Sequence, residues 1–284
     1  ANHDIAANGD AVVSGFNPFN DGYWSNGFFS NYERLSMAAS SDFRFGTGDF
    51  TVELWVKYTN ASGDKAMIDF RPTNGQYADA FGFTITGTAL KIYDNANRSL
   101  GGTVSTNTWT HLVLQRVSGV LYAHVNGTAT GTTVAYTTDL GNTGTQCTIG
   151  STTNSNTARF DGHISNVRVV KGSAIYGTGN FTVSTAPFTT TSQGATASEV
   201  KLLTCQSSRF IDNSSTGHSI TVGGTTSIKE DIPFTLLSRQ TKFLNLQNKQ
   251  DVNNNSFQDS STLRNLVNRT GNATQGTFSP FSGE

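Results

Sequence analysis

The stretch Phe160-Asp161-Gly162-His163-Ile164-Ser165-Asn166-Val167-Arg168-Val169-Val170-Lys171-Gly172 constrains this chain most. Phe160, Gly162 and Ile164 share one parity, while Val167 and Val169 share the other. Successive side chains of a strand point to opposite faces, so a strand that keeps one face in a core must absorb one extra residue between the two sets. The pattern therefore predicts a β-bulge at Ser165-Asn166. Gly162 suits a place where another backbone or a large ring crosses closely.

Other segments have the same period of two. In Asp49-Phe50-Thr51-Val52-Glu53-Leu54-Trp55-Val56-Lys57-Tyr58, the residues Phe50, Val52, Leu54 and Val56 form one face and Thr51, Glu53, Trp55 and Lys57 the other, which reads as a half-buried strand. Lys65 to Phe70, Phe81 to Thr86 and Ala89 to Tyr93 read as further strands, the last two joined at Gly87-Thr88. Trp109 to Val117 and Val120 to Val125 flank Ser118-Gly119, a two-residue hairpin signal, and Asn126-Gly127 marks the next turn. Gln146 to Gly150 is a short strand. No window holds a helical period. Composition agrees: charged residues are 14%, there are 29 glycines and only five glutamates, and Asn, Thr and Ser are abundant. Strands and tight turns are built from such residues, and helices are not.

A short segment occurs three times around this body. Residues 2–19 align without a gap on residues 217–234, placing His3 on His218, Ile5 on Ile220, Gly9 on Gly224 and Pro18-Phe19 on Pro233-Phe234. At the end of the chain Asn265, Val267, Gly271, Pro280 and Phe281 take the same offsets. Upstream, Phe210, Asp212 and Ser214 match Phe257, Asp259 and Ser261. The chain thus divides into a leader at 1–19, a body at 20–192, a second leader at 193–234 and a third leader or linker at 235–284. Repetition of His3 and His218 suggests a structural hydrogen bond.

Four segments together carry a family resemblance. Gly48-Asp49-Phe50-Thr51-Val52-Glu53-Leu54-Trp55-Val56, Trp109-Thr110-His111-Leu112-Val113-Leu114, Val125-Asn126-Gly127 and Phe160 through Arg168 resemble, in order and spacing, the laminin-G-like, concanavalin A-like lectin/glucanase sandwich over residues ~20–190. The resemblance implies an all-β fold, an antiparallel β-sandwich (jelly roll) with short β-rich leader repeats at both ends. Ser173-Ala174-Ile175-Tyr176, Phe181-Thr182 and Leu202 to Ser214 are similar to tandem repeats of tailed-phage (cyanophage-type) virion proteins, where a leader precedes each body. The last two leaders here have no complete body after them. Either the chain is cut from a longer array, or these leaders pack on the one body.

Candidate chemistry is sparse. Glucanases of this fold use an E-x-D-x-E strand that sets carboxylates on one face. Glu53 stands alone on its strand, so it reads as solvated or singly paired, and the chain reads as no enzyme, with no catalytic or cofactor-binding residue. The five histidines do not cluster by spacing; His111 and His124 could meet across the Ser118-Gly119 hairpin but read as core or interface imidazoles. Cys147 and Cys205 read as buried thiols, with a disulfide as the alternative. Metal and ligand residues are unknown. Calcium is the best cofactor guess, since the resemblance implies rim sites, and Tyr93-Asp94-Asn95-Ala96-Asn97 is the richest rim loop. The bland reading of that loop is an Asx turn, and Trp55 reads as packed against a sheet, leader or subunit.

A net charge of −1 gives no footprint for nucleic acid. No apolar run approaches the roughly 20 residues that cross a bilayer. The expectation is a structural or adhesive virion protein (tail fibre, appendage or capsid decoration) on the particle surface. Its partners would be other virion proteins, copies of itself in a trimer, and host-surface glycans. The alternative is a secreted or cell-surface lectin-like module of a bacterium.

Overall fold

The computed structural model describes residues 24–229, apart from 31–32, 74, 154–157 and 208. Two compact units divide the chain, Ala1–Thr235 and Leu236–Glu284, and every described residue belongs to the first. The first and third leaders, His3 among them, lie outside the described residues.

Fifteen strands follow in order: β1 (Ser25–Phe28), β2 (Arg34–Met37), β3 (Phe50–Tyr58), β4 (Asp64–Asp69), β5 (Gly82–Thr86), β6 (Ala89–Tyr93), β7 (Asn97–Gly101), β8 (Thr110–Val117), β9 (Val120–Val125), β10 (Thr128–Ala135), β11 (Cys147–Ile149), β12 (Gly162–Lys171), β13 (Val200–Thr204), β14 (Thr221–Gly223) and β15 (Ser227–Lys229). All pairings are antiparallel. The first sheet runs β15-β1-β12-β3-β8-β9-β10, with β13 beside the second half of β12. The second runs β14-β2-β11-β4-β5-β6-β7. The chain is an antiparallel β-sandwich, as expected, and its only helices among the described residues are single 3-10 turns.

Side chains from both sheets meet in one core. Phe50, Val52, Leu54 and Val56 from β3 pack with Phe83, Ile85, Leu90 and Ile92 from the second sheet, and Phe43, Phe45, Phe70 and Phe81 fill one end. The gap left between Phe50, Phe81, Ile92, Leu114, Leu121 and Tyr136 is too tight to admit a water. Cys147 and Cys205 are buried free thiols, and burial raises both.

The turns follow the chemistry of their residues. Ser118-Gly119 and Asn126-Gly127 have positive φ at both positions, the geometry that matches the twist of a hairpin. The bulge in β12 is present where the parity demands it. Ser165 pairs with Trp55 and Arg168 with Glu53, three steps against two, and Asn166 sits at φ +50. Asn166 turns its polar groups outward to the chain that follows: its N–H donates to Cys205 O at 3.0 Å, and its Oδ1 accepts from Phe188 N at 3.1 Å. At Gly162, φ is +144 and a Cβ would fall on Lys57 O, so the close crossing is with β3 backbone.

One side of the sandwich is joined by β7 and β10 through the pair Gly101 and Gly131. The other side is closed by the second leader. Its β13 lies on β12, β14 pairs with β2 in one sheet, β15 pairs with β1 in the other, and Gly224 to Thr226 carry the chain across. Buried Glu33 ties this crossing to the β1–β2 turn, accepting from Ser30 N at 2.7 Å, from Phe29 N and from the Thr225 hydroxyl.

Candidate functional site

The outward residues of β3 run Thr51, Glu53, Trp55, Lys57, and they pass from a sealed region to an open one. The period of two promised a wet outer face, yet Thr51 and Glu53 are fully buried and Trp55 is 7% exposed. The reason lies in the segment after β12, which folds back over the first sheet as a strap spanning residues 173–192. Ile175 N donates to the Thr51 hydroxyl at 3.1 Å, which itself donates to Ser173 O. Gln115 donates to Gly177 O, His124 Nε2 lies 3.0 Å from Gly179 O, and Phe181 N donates to Gly127 O at 2.9 Å. Phe188, Val200, Leu203 and Ala195 then join Trp55 and Val170 in a second apolar cluster.

Glu53 is therefore neither solvated nor singly paired. Arg168 Nε donates to its Oε1 at 2.7 Å, His111 Nε2 stands 3.1 Å from Oε2, and the Tyr176 hydroxyl donates to Oε2 at 2.7 Å. Arg168 also donates to Thr189 O and Ser192 O, both at 2.8 Å, which pins the strap. Burial alone would raise the Glu53 carboxyl. The His111 hydrogen bond, the Arg168 charge and the Tyr176 hydroxyl outweigh it and hold the group below the ordinary carboxylate range. A buried carboxylate with this many donors is a compensated charge. The two histidines of the hairpin are both core imidazoles, their rings flanking Phe181 at 6.0 and 5.2 Å. Sequence showed the alternation of β3 but not the strap, because the partners of Glu53 come from 58 to 123 residues away.

Beyond the strap the same face opens. Gly27 pairs with His163 and His163 with Lys57, and Trp109 stands just before β8. Phe29 folds back over this row. A Cβ on Gly27 would come within 2.9 Å of its ring, so the glycine makes room for it. The Phe29 ring meets His163 edge-on at 5.0 Å, and His163 lies 6.2 Å from Trp109. Phe29 is 44% exposed, the large hydrophobic residue left most open among those described, and His163, Lys57 and Trp109 are half-buried. This row was not singled out from sequence. Its signal was the Phe28-Phe29 doublet, which at period two gives one ring to the core and one to the surface.

The rim loop fares differently. Asp94 is 1% exposed and spends its carboxylate on Ala96 N at 2.8 Å, Arg98 Nε at 3.0 Å and the Tyr136 hydroxyl at 3.0 Å. It is an Asx turn anchored to the core, and the Arg98 guanidinium takes the place a cation would need. The Tyr93 ring is covered on one side by Arg71, whose guanidinium carbon is 4.8 Å from the ring centre. Among the described residues no group of three or more His, Cys, Asp and Glu side chains could hold a metal ion, so the loop does not fit calcium. Trp55 packs under the strap, and His218 makes a structural contact, its ring 4.8 Å from Phe43 and its Nε2 3.3 Å from Asp42.

The laminin-G family model described as "Concanavalin A-like lectin/glucanases superfamily" matches residues 29–174, half of the chain. The chain belongs to the concanavalin A-like lectin/glucanase superfamily. The matched span stops within the strap, ahead of β13 to β15. Among solved structures, a Bacteroides ovatus protein described as a "putative carbohydrate binding protein" aligns at TM-score 0.55 and 17% identity over 75% of this chain; the chain spans 62% of that protein's length. A heptameric SAP-like pentraxin from Limulus polyphemus aligns at TM-score 0.49 and 12% identity, over 75% of this chain and 98% of the pentraxin. The CBM40 of a Ruminococcus gnavus sialidase aligns at 0.40 and 15%, over 51% and 90%. No curated protein matches the sequence.

Proposed function

We propose that this chain is a non-enzymatic display module that meets glycans through the row Phe29, His163, Lys57 and Trp109. The observation that carries the reading is the exposed Phe29 ring set beside half-buried His163, Lys57 and Trp109 on one face of a lectin-type sandwich. Apolar faces of a sugar ring pack against aromatic rings, and its hydroxyls bond to polar groups at the margin. Here rings and polar groups alternate across neighbouring strands. The likeness to a Bacteroides ovatus protein described as carbohydrate binding agrees with this reading. The non-enzymatic part rests on Glu53, the carboxylate of the β3 strand, which is buried, bonded by three side chains and covered by the strap, leaving it no access to a glycosidic oxygen.

The setting we propose is the surface of a tailed-phage particle, as a fibre, appendage or capsid decoration with copies of itself as partners, a trimer by fibre analogy. The leader repeats and their resemblance to phage virion proteins support it. A secreted bacterial lectin-like module is the second reading, favoured by the likeness to the Bacteroides ovatus protein. Glycan-array binding by the whole chain, lost in Phe29→Ala and in Trp109→Ala with folding intact, is the expected result. Binding unchanged in both variants would remove the row from the reading. Mass spectrometry of purified virions separates the two settings, since presence of the chain supports the first and absence the second.

A further inference from the structure

The strap over residues 173–192 covers the sealed half of the first sheet with little structure of its own. Between the end of β12 and the 3-10 turn at Ser192–Gly194 it contains no strand, so no ladder of backbone bonds ties it to the sheet. Its middle is held by the Tyr176 hydroxyl on Glu53, Gln115 on Gly177 O, His124 on Gly179 O and Phe181 N on Gly127 O. Residues 177–180 are exposed. Segments with so few ties open at a lower free energy than the strands beneath them.

One of these ties changes its chemistry with pH. A carbonyl oxygen only accepts, so the 3.0 Å contact with Gly179 O fixes a proton on His124 Nε2 and leaves the Nδ1 lone pair as the place for a second proton. The His124 side chain is fully buried, and its Nδ1 has no hydrogen-bond partner among the described residues. A proton there makes a buried N–H without an acceptor, on a ring that has become charged. The surroundings offer no relief. The strap sets Phe181 5.2 Å from the ring, with Tyr176 stacked on Phe181 at 3.8 Å. Ala129 is the paired neighbour on β10, Tyr122 lies two residues back on β9, and β8 brings Gln115 and His111. Behind His111 stands Glu53, whose carboxylate is already engaged by His111, Arg168 and Tyr176. Burial, aided by the neighbouring His111 and only partly offset by the Gly179 bond, sets the His124 imidazole below its ordinary 6.5.

We propose that the strap is an acid-released cover and that His124 is its latch. When the strap swings away, the ring meets water and takes a proton at its ordinary value, so acid favours the open form. The closed value is the lower one, so the bias sets in as pH drops below about 6.5 and grows by up to about tenfold per pH unit until the closed value is passed. The two ends stay in place, because Thr51 holds Ser173 O and Arg168 holds Thr189 O and Ser192 O. The part between them moves, and it takes Tyr176 and Phe181 off the His111 ring. His111 lies two residues along the chain from Trp109, so the open row gains surface on that side. The cover does not depend on what that row binds.

Hydrogen exchange of the full chain at three pH values spanning 6.5, with each rate divided by its intrinsic value, tests this. The Tyr176 and Phe181 amides should be less protected than those of β3 and β8 at every pH, and low urea should leave them unchanged, which marks a local opening. Their protection should fall by up to about tenfold across a span of two pH units centred on 6.5. In His124→Gln, whose amide nitrogen can still donate to Gly179 O, most of that fall should vanish. A reciprocal measurement keeps the imidazole and decides the matter should that variant not fold. In Gly127→Ala the added methyl falls on Phe181 O and pushes the strap outward, so the His124 titration followed by imidazole NMR should move up toward 6.5. Strap amides that exchange together with β3 and β8, an equal fall in His124→Gln, or a His124 midpoint identical in wild type and Gly127→Ala would each overturn the proposal.

Discussion

Two halves of one sheet face, only a few residues apart along β3, have opposite surroundings. Around Glu53 the strap excludes water and the interior is polar: a carboxylate, a guanidinium, an imidazole and a phenol, each with a bonded partner. Around Lys57 the strap is gone, and the surface carries rings. The difference teaches that polarity does not mark the exposed surface of this sandwich, since its most polar cluster is the buried one. A buried ion pair must be compensated in place, so the polar half is the committed one, while Phe29 contributes little to the fold and is available for contact.

The largest effect that would sharpen this contrast is in the sealed half. Arg168→Ala should destabilise the protein by roughly 3–5 kcal/mol, because it leaves Glu53 charged, buried and short of its cation; urea denaturation measures it, and a loss below 1 kcal/mol would mean that water reaches Glu53. Glu53→Gln should cost less, about 1–3 kcal/mol, since a neutral amide keeps some of the hydrogen bonds. Acid should act on the same region in two stages. Burial sets the His124 imidazole below its ordinary 6.5, so the unfolded chain takes that proton first and stability falls as pH drops below about 6.5. The Glu53 carboxyl lies below its ordinary 4.5, so a second loss follows as pH drops below about 4.5. His124→Gln should erase the first stage in a pH series of melting temperatures, and Glu53→Gln the second.

Smaller effects probe the boundary. Gly127 holds φ +76 against Phe181 O, so Gly127→Ala should cost about 1 kcal/mol in backbone terms and push the strap outward. Hydrogen exchange should then quicken in residues 173–192 while β3 and β8 keep their protection. Equal quickening in all of them would show that the strap does not open apart from the sheet. The smallest stability change belongs to the open half: Phe29→Ala should stay within about 0.5 kcal/mol of wild type while glycan binding falls.

The fold was legible because its signals are local. Period two in β3, the Ser118-Gly119 and Asn126-Gly127 turns, and the parity change of β12 each lie within a dozen residues, and each appears where it was expected. The four-residue β1 and β2 went unread, being too short to show a period, and β10 has polar residues on both faces. The candidate site was harder to see. Glu53 was misjudged since alternation cannot reveal that a distant segment will cover the outer face. Asp94 drew attention as a loop carboxylate, yet loop residues can turn inward, and this one bonds a core tyrosine. The rings come from the residue after β1, the residue before β8 and from β12, and only strand pairing makes neighbours of them.

The crossing from β14 to β15 sets a condition on how the protein is made. Ser25 is hydrogen bonded to Lys229, 204 residues later in the chain. A growing chain therefore emerges from the ribosome with the first strands synthesised and their outer edges unpaired, and they stay so until the second leader is out. Unpaired edges are sites of misassociation. The last stretch to be synthesised in this unit is thus the one that ends its exposure, and its delivery sets when the newborn sandwich becomes safe from its neighbours.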